Sequence, residues 1–196
     1  MIYDITQELF TCEVYPGDPA PRSERLASLA QGDVCNLTAF SMCAHNGTHL
    51  DAPAHFIPDG KTVDQIGPER CFGPAYVAEH QGPLHAEDAR RIMVRAATGG
   101  AGERILLKGD LVVMEDAAEI FAAAGIFLLG NESQTVGPSD APARVHRILL
   151  GADVVLLEGI RLAQVPEGAY LLSALPLNLG GSDGAPCRAV LWDGQG

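Results

Sequence analysis

Short runs of alternating or apolar residues predict strands along the whole chain. Residues 1–6 ("MIYDIT") alternate between apolar and polar side chains, which is the period of a half-buried strand. Residues 35–50 are rich in strand-forming side chains and run directly into a cluster of histidines. Apolar runs predict further strands at 72–79, 126–133, 153–160, 168–179 and 187–192.

Three amphipathic segments, residues 85–97, 116–125 and 139–152, predict helices that end at or just before glycine. We expect Ser139 or Asp140 near the N-cap of the third helix, with Pro142 in its first turn. The stretch 108–110 separates two apolar runs and predicts a hairpin turn. Because strands and helices are mixed without a linker or repeat, we predict one α/β domain with a mixed sheet over residues 1–196.

Composition and charge narrow the classes of partner. The chain of 196 residues is 47% hydrophobic and has a net charge of −12, which disfavours binding to nucleic acid or to an anionic membrane. Its five cysteines are odd in number and lack a CxxC spacing, so neither a disulfide framework nor a thiolate zinc site is predicted. We see no signal peptide and no apolar stretch of transmembrane length, and we expect a cytoplasmic location.

The segment "HNGTHLDAPAH", residues 45–55, concentrates metal-binding side chains. It holds three of the six histidines, and His45, His49, Asp51 and His55 all occupy odd positions. On an extended strand these four side chains would share one face. A helix is disfavoured because the segment contains glycine, a β-branched threonine and proline. The pattern predicts a metal site with a proton carrier beside it; the alternative is a set of histidines hydrogen-bonded in the core.

Two further residues extend the candidate metal site. Glu158 lies in an otherwise apolar strand, where a carboxylate must be paired with a basic residue or bound to a metal. His146 lies on the third predicted helix beside two arginines, where a histidine by itself indicates little. Because carboxylates can bridge, Asp51 and Glu158 with three histidines would suffice for two divalent ions about 3.5–4 Å apart.

Other polar residues receive simpler interpretations. Asp183 and Arg188 are predicted to form a turn and an ion pair, and Cys43 is predicted to pack in the core. The stretch 131–133 ("NES") ends a predicted buried strand, and Asn131, Glu132 and Ser133 are candidates to line a pocket without an assigned role.

The histidine cluster resembles the HxGTHxDxPxH signature of the metal-dependent cyclase and kynurenine formamidase family. The matching residues are His45, Gly47, Thr48, His49, Asp51, Pro53 and His55. Both ends of the chain resemble the family as well, whereas residues 60–125 match only loosely. The resemblance implies a swivelling β/β/α fold of the cyclase-like type and a homodimer or larger homo-oligomer.

The family's functional residues are matched by residues of this chain. The resemblance implies that His45, His49 and Asp51 bind one metal ion, that His146 binds a second, and that Glu158 contacts both. The expected ions are two Zn²⁺ per chain, with Mn²⁺ as the alternative. The resemblance also implies that the last histidine of the motif, His55, is the proton donor and acceptor.

The substrate assignment is less closely constrained. Where bacterial kynurenine formamidases carry a substrate-contacting tryptophan before PGD, this chain has Tyr15, which can stack but has less area and an added hydroxyl. We expect hydrolysis of the C–N bond of a small amide, an arylformamide such as N-formylkynurenine first. A cyclic amide such as an isatin, a lactone or a cyclisation are the alternatives. A metal-binding or ligand-binding protein without turnover is the alternative from another class.

Overall fold

The structure, a computed structural model, describes residues 1–194. Its strands are β1 (Ile2–Asp4), β2 (Arg22–Ala27), β3 (Leu37–Ser41), β4 (His49–Asp51), β5 (Phe72–Glu79), β6 (Gly82–Leu84), β7 (Arg104–Lys108), β8 (Leu111–Val113), β9 (Leu128–Asn131), β10 (Val155–Glu158), β11 (Gly168–Ser173), β12 (Gly184–Pro186) and β13 (Val190–Trp192). Its α-helices are α1 (Pro68–Cys71), α2 (Ala86–Thr98), α3 (Glu115–Ala123) and α4 (Ala143–Gly151).

Within residues 1–194, nine strands form one curled mixed sheet in the order β1-β13-β11-β5-β7-β9-β10-β4-β12. The central strands β5, β7, β9 and β10 run parallel, because helical crossovers connect them. Antiparallel strands complete both sides, and β4 lies between β10 and β12. The predicted class, an α/β protein with a mixed sheet of the cyclase-like type, is confirmed; the domain limits 1–196 stay a prediction.

The two faces of the sheet bury separate apolar layers because side chains alternate along each strand. Ile105 and Leu107 of β7 face the helices, where they pack with Phe121 of α3 and Leu149 of α4. Leu106 points to the opposite layer, which includes residues from β1, β4, β11 and β13. None of the helices within residues 1–194 is long and apolar enough to cross a membrane.

The hairpin predicted at residues 108–110 is wrong. Strands β7 and β8 do not pair, because β7 already bonds to β5 on one side and to β9 on the other. The chain instead turns at Gly109, where φ is 119°, and β8 pairs in parallel with β6 in a separate two-stranded sheet. The glycine marks a change of sheet rather than a reversal within one sheet.

The long strand predicted over residues 35–50 is interrupted. Strand β3 ends at Ser41 and β4 begins at His49, with a turn between them. The Asn46 side chain accepts a hydrogen bond of 2.9 Å from the Cys43 amide, and Gly47 adopts a positive φ of 65°. His45 therefore lies in a turn rather than on the strand that carries His49 and Asp51.

Helices α2 and α3 lie where the sequence predicts them, and both end beside glycine. Helix α4 begins later than expected. Pro142 is its N-cap residue, and no side chain caps this helix, so Ser139 and Asp140 do not have the predicted role. Glu158 is the last residue of β10 rather than a residue in the middle of a strand.

Candidate metal centre

Strands β4 and β10 place one imidazole and two carboxylate side chains together. In their antiparallel register His49 is the direct partner of Glu158, and Asp51 lies two residues further along the same face of β4. His49, Asp51 and Glu158 are only 1%, 1% and 2% exposed. Buried carboxylates side by side require cationic partners, so this register creates a site for positive charge.

Two histidines direct their free nitrogens at these carboxylates. His49 donates from Nδ1 to the carbonyl of Gly47 at 3.0 Å, and His146 of α4 donates from Nδ1 to the carbonyl of Pro142 at 2.9 Å. Because a carbonyl can only accept, the neutral form of each ring carries its proton on Nδ1 and its lone pair on Nε2. A backbone carbonyl that fixes the ring in this way is typical of metal-binding histidines.

The spacing of the donor atoms fits a divalent ion. His49 Nε2 lies 3.4 Å from Asp51 Oδ1 and 3.7 Å from Glu158 Oε2, and His146 Nε2 lies 3.4 Å from Glu158 Oε1 and 3.7 Å from Asp51 Oδ2. Two ligand atoms each about 2.1 Å from one tetrahedral ion are about 3.4 Å apart. Among the hydrogen bonds of residues 1–194, Asp51 Oδ2 has no partner although it is buried. These observations favour metal coordination over a hydrogen-bonded core.

A second layer surrounds His45 and His55. His45 bonds through Nδ1 to Asp51 at 2.8 Å and through Nε2 to Asp183 at 3.0 Å. Its ring stacks on that of His55, with 4.0 Å between centroids. His55, at the end of the 3₁₀ turn Pro53–His55, bonds through Nδ1 to the same Asp183 oxygen at 3.1 Å. Asp183 therefore connects the two imidazoles.

Charge and burial shift the pKa values of these groups. Burial lowers the pKa of His45, but Asp51 and Asp183 outweigh it and raise the value to about 9. Burial and the neighbouring charge of Asp51 raise the pKa of Glu158. Burial opposes ionisation of Asp51, yet hydrogen bonds from His45 and His49 hold its pKa well below the ordinary value. Burial is also the main cause of the lowered pKa of His55.

These groups surround a pocket of about 240 Å³. The residues that line it are Tyr15, Asp18, His45, His49, His55, Phe56, Gln134, Thr135, Pro142, His146 and Glu158. Six of the seven predicted site residues are among them. The seventh, Asp51, does not line the pocket but contacts His45 and His49, which do. The structure thus brings together all seven predicted residues.

One member of the cluster was missed by sequence reasoning. The predicted ion pair between Asp183 and Arg188 is wrong, because Arg188 pairs with Asp4 at 2.5 Å. Asp183 immediately precedes β12, which pairs with β4, so its carboxylate lies beside the histidines. Only this strand pairing reveals the contact, because nothing in the sequence near Asp183 points to residues 45–55.

The remaining polar candidates have structural partners. Asn131 bonds to the Ser133 hydroxyl at 2.8 Å, and Glu132 accepts the amides of Gly109 and Leu162 at 2.8 Å each. None of the three residues 131–133 lines the pocket. Cys43 is half-buried rather than in the core, and its Sγ lies 3.7 Å from an oxygen of Asp18.

Fold and site together define an α/β protein with a candidate divalent-metal centre between neighbouring strands of a curled mixed sheet. The chain belongs to the putative cyclase family, which matches it over residues 3–137. The family resemblance seen in the histidine motif is confirmed. The candidate ligands His146 and Glu158 lie beyond the matched residues.

Individual relatives extend the similarity along the chain. The kynurenine formamidase of Salinibacter ruber is 34% identical over 201 residues, covering 92% of this chain and 91% of that protein. A solved structure described as a potential metal-dependent hydrolase with cyclase activity has a TM-score of 0.83 and 27% identity to this chain. The match covers 100% of this chain and 99% of that one. Isatin hydrolase A from Labrenzia aggregata has a TM-score of 0.81 and 23% identity, covering 97% and 93%, and is similar in fold.

Proposed function

We propose that this protein is a metal-dependent hydrolase that cleaves the C–N bond of a small amide, with an arylformamide such as N-formylkynurenine as the first candidate. One observation carries the proposal. Two imidazoles with backbone-fixed Nδ1 atoms direct Nε2 at two buried carboxylates, one of which has an oxygen without a hydrogen-bond partner within residues 1–194. The named activity of the Salinibacter ruber relative supports the amide substrate.

We assign two divalent ions per chain, Zn²⁺ first and Mn²⁺ as the alternative. His45, His49 and Asp51 would hold one ion, His146 the other, and Glu158 would contact both. Two groups of potential ligand atoms support this count, each within 4.8 Å: His49 with Asp51 and Glu158, and His45 with Asp51 and His55. Asp51 belongs to both groups, and the first-named group also contains Glu158, the residue assigned to both ions. His55 also lies within ligand distance, so its role needs a direct test.

The protein's own groups account for binding and proton transfer. The ions, when bound, would supply an acidified water molecule and polarise the carbonyl oxygen. Asp183 accepts a hydrogen bond from His55 Nδ1 and so leaves His55 Nε2, which has no hydrogen-bond partner in residues 1–194, for the reaction. That atom accepts a proton from the attacking water and donates it to the leaving nitrogen, giving the amine and the carboxylic acid. Tyr15 would pack against the substrate ring.

Cyclic amides are the second candidate because of the charge of the pocket wall. Among residues 1–194 no lysine or arginine lines the pocket, whereas Asp18 does. N-formylkynurenine carries an amino-acid carboxylate, which would find no lysine or arginine partner in this pocket wall. An isatin or another neutral cyclic amide needs none, and ring opening by water uses the same residues.

A binding protein without turnover is disfavoured by the second layer of the site. The five assigned ligands do not include His55, so metal binding alone does not require this further imidazole. His55 is instead hydrogen-bonded to Asp183 beside the candidate ligands. A closed structural metal site would instead complete its coordination with cysteine or histidine.

The His55→Ala variant tests the assigned chemistry. We expect it to keep two metal ions per chain, measured by plasma mass spectrometry, and to lose roughly 10²–10⁴-fold in kcat on the best arylformamide or isatin substrate. Wild-type turnover would contradict the acid–base role. Loss of one ion would instead make His55 a ligand and require a different proton carrier.

A homodimer or larger homo-oligomer is part of the proposal. The hairpin arm, residues 22–41 with strands β2 and β3, stands apart from the sheet, and no residue from 6 to 45 is buried. A two-stranded hairpin without packing is marginally stable in water. Its side chains Leu26, Leu37 and Phe40 are 54%, 51% and 56% exposed, and a second copy of the chain would cover them.

The oligomer is tested by light scattering coupled to size exclusion. The wild type is expected at a multiple of 20.6 kDa, and the double variant Leu37→Asp, Phe40→Asp at smaller mass with an unchanged monomer fold. A monomeric wild type would contradict the proposal. A cytoplasmic location is also proposed; the free thiols of all five cysteines fit a reducing compartment, and cell fractionation tests it.

A further inference from the structure

We propose that Gln134 and Thr135 bind a second carbonyl group of the substrate, on the ring carbon next to the one that carries the amide nitrogen. This inference rests on the proposed amide hydrolysis and specifies its substrate class as ortho-acyl arylamides, open or cyclic. Both residues line the pocket that contains the candidate metal ligands.

The polar atoms of these two side chains lack partners. The amide nitrogen and oxygen of Gln134 and the hydroxyl of Thr135 are shielded from solvent, and none has a hydrogen bond within residues 1–194. Buried polar groups are nearly always hydrogen-bonded, and exceptions occur at functional sites. Asp51 Oδ2 is another such atom, and a bound metal ion accounts for it. Rotation of these two side chains toward the cavity would let a ligand in the pocket provide the partners of Gln134 and Thr135.

The backbone fixes this pair relative to the metal centre. The amide of Val136 donates to Glu158 Oε1 at 2.7 Å, and the Asn131 side chain donates to the carbonyl of Thr135 at 3.2 Å. The amide of Gly159 donates to the carbonyl of Ser133 at 2.9 Å. These bonds tie the loop to the ends of β9 and β10. A substrate carbonyl held by Gln134 and Thr135 would therefore be positioned relative to Glu158.

The chemistry of the pair selects the group that it binds. Gln134 and Thr135 are uncharged and both can donate a hydrogen bond, so together they can hold a neutral carbonyl oxygen without a cationic group. The two candidate substrates share such a group, because N-formylkynurenine and isatin each carry a ketone ortho to the amide nitrogen. A simple anilide lacks it, and a site built to bind a polar group discriminates against the analogue without it.

The test compares kcat/KM for 2-acetylformanilide and formanilide. Intrinsic reactivity cancels when the ratio of the two values is compared between variants. We expect Gln134→Leu and Thr135→Val each to lower the ratio roughly tenfold, as loss of one neutral hydrogen bond would. Thr135→Ser keeps the hydroxyl and is expected to keep the ratio. The matched control Gln164→Leu, at an exposed position outside this pocket, is expected to leave it unchanged.

Binding to the metal-free protein provides a readout independent of turnover. Ligand-observed NMR should show that 2-aminoacetophenone binds more tightly than aniline, and that Gln134→Leu removes the difference. An unchanged ratio, including an equal loss for both substrates, overturns the inference, as does equal binding of the two amines. If the wild type hydrolyses neither formanilide, the proposed function fails, and the binding comparison still decides the role of the pair.

Discussion

Replacing Glu158 with glutamine separates metal binding from folding. Glu158 is 2% exposed, and its Oε1 accepts the Val136 amide at 2.7 Å. Glutamine has the same shape and its oxygen can accept the same bond, so the local fold should persist. The substitution removes the negative charge of Glu158. A bound divalent ion requires this charge, whereas in the metal-free protein the charge of Asp51 repels it.

The expected magnitude follows from binding linkage. At an ion concentration of 100 Kd the wild type gains about 2.7 kcal/mol, which raises Tm by roughly 5–10 °C in a chain of this size. Loss of groups that only support the ligands costs about 10–100-fold in metal affinity, and loss of a ligand costs at least as much. With Kd raised about 100-fold the gain falls to about 0.4 kcal/mol, or about 1 °C.

Differential scanning calorimetry with and without Zn²⁺ measures the stability of the metal-free protein and the increase in Tm that the metal causes. We expect metal-free Glu158→Gln to be at least as stable as the metal-free wild type. The matched control is Glu132→Gln, at the end of the adjacent strand β9, where the carboxylate accepts two amides away from the pocket. It should lower Tm and keep the full metal-dependent shift. A full shift in Glu158→Gln would refute the assignment of Glu158 as a ligand.

Three further substitutions test individual contacts. Asp183→Asn should lower kcat at saturating metal roughly 10–100-fold with little change in KM, because the hydrogen bond at His55 Nδ1 loses its charge; equal kcat would show that the contact is incidental. Gly184→Ala should weaken metal binding at least about tenfold in competition titrations, since its Cβ would lie 2.5 Å from His45 Cε1 and 2.9 Å from a backbone carbonyl; unchanged affinity would mean that His45 is not a ligand. Tyr15→Trp should lower KM for N-formylkynurenine about 2–10-fold through a larger stacking area, and a higher KM would argue against ring contact.

The metal ligands could be predicted because most of them are close in sequence. His49 and Asp51 share a face of β4 through the period of two, which is a local property. The prediction that His45 and His55 belong to the same strand was wrong, although all four side chains do meet. A turn at Gly47 and a 3₁₀ turn at Pro53 bring His45 and His55 to the site.

The second layer depends on contacts that are remote in sequence. Asp183 reaches His45 and His55 across separations of 138 and 128 residues, and only the pairing of β12 with β4 brings them together. Gln134 and Thr135 likewise reach the pocket through a loop whose shape depends on Glu158. The prediction of a hairpin at residues 108–110 was wrong for the same reason, because β7 pairs with strands β5 and β9, which are remote in sequence.

The most direct test of the central claim is hydrolysis of N-formylkynurenine by protein reconstituted with Zn²⁺ and, in parallel, with Mn²⁺, with bound metal counted in the same samples. The metal-dependent hydrolase predicted here should bind two ions per chain and turn over this substrate, or isatin in the same assay, far faster than the free ions do. Hydrolysis that is equally fast after complete removal of metal would contradict the account. So would a protein that binds no divalent ion.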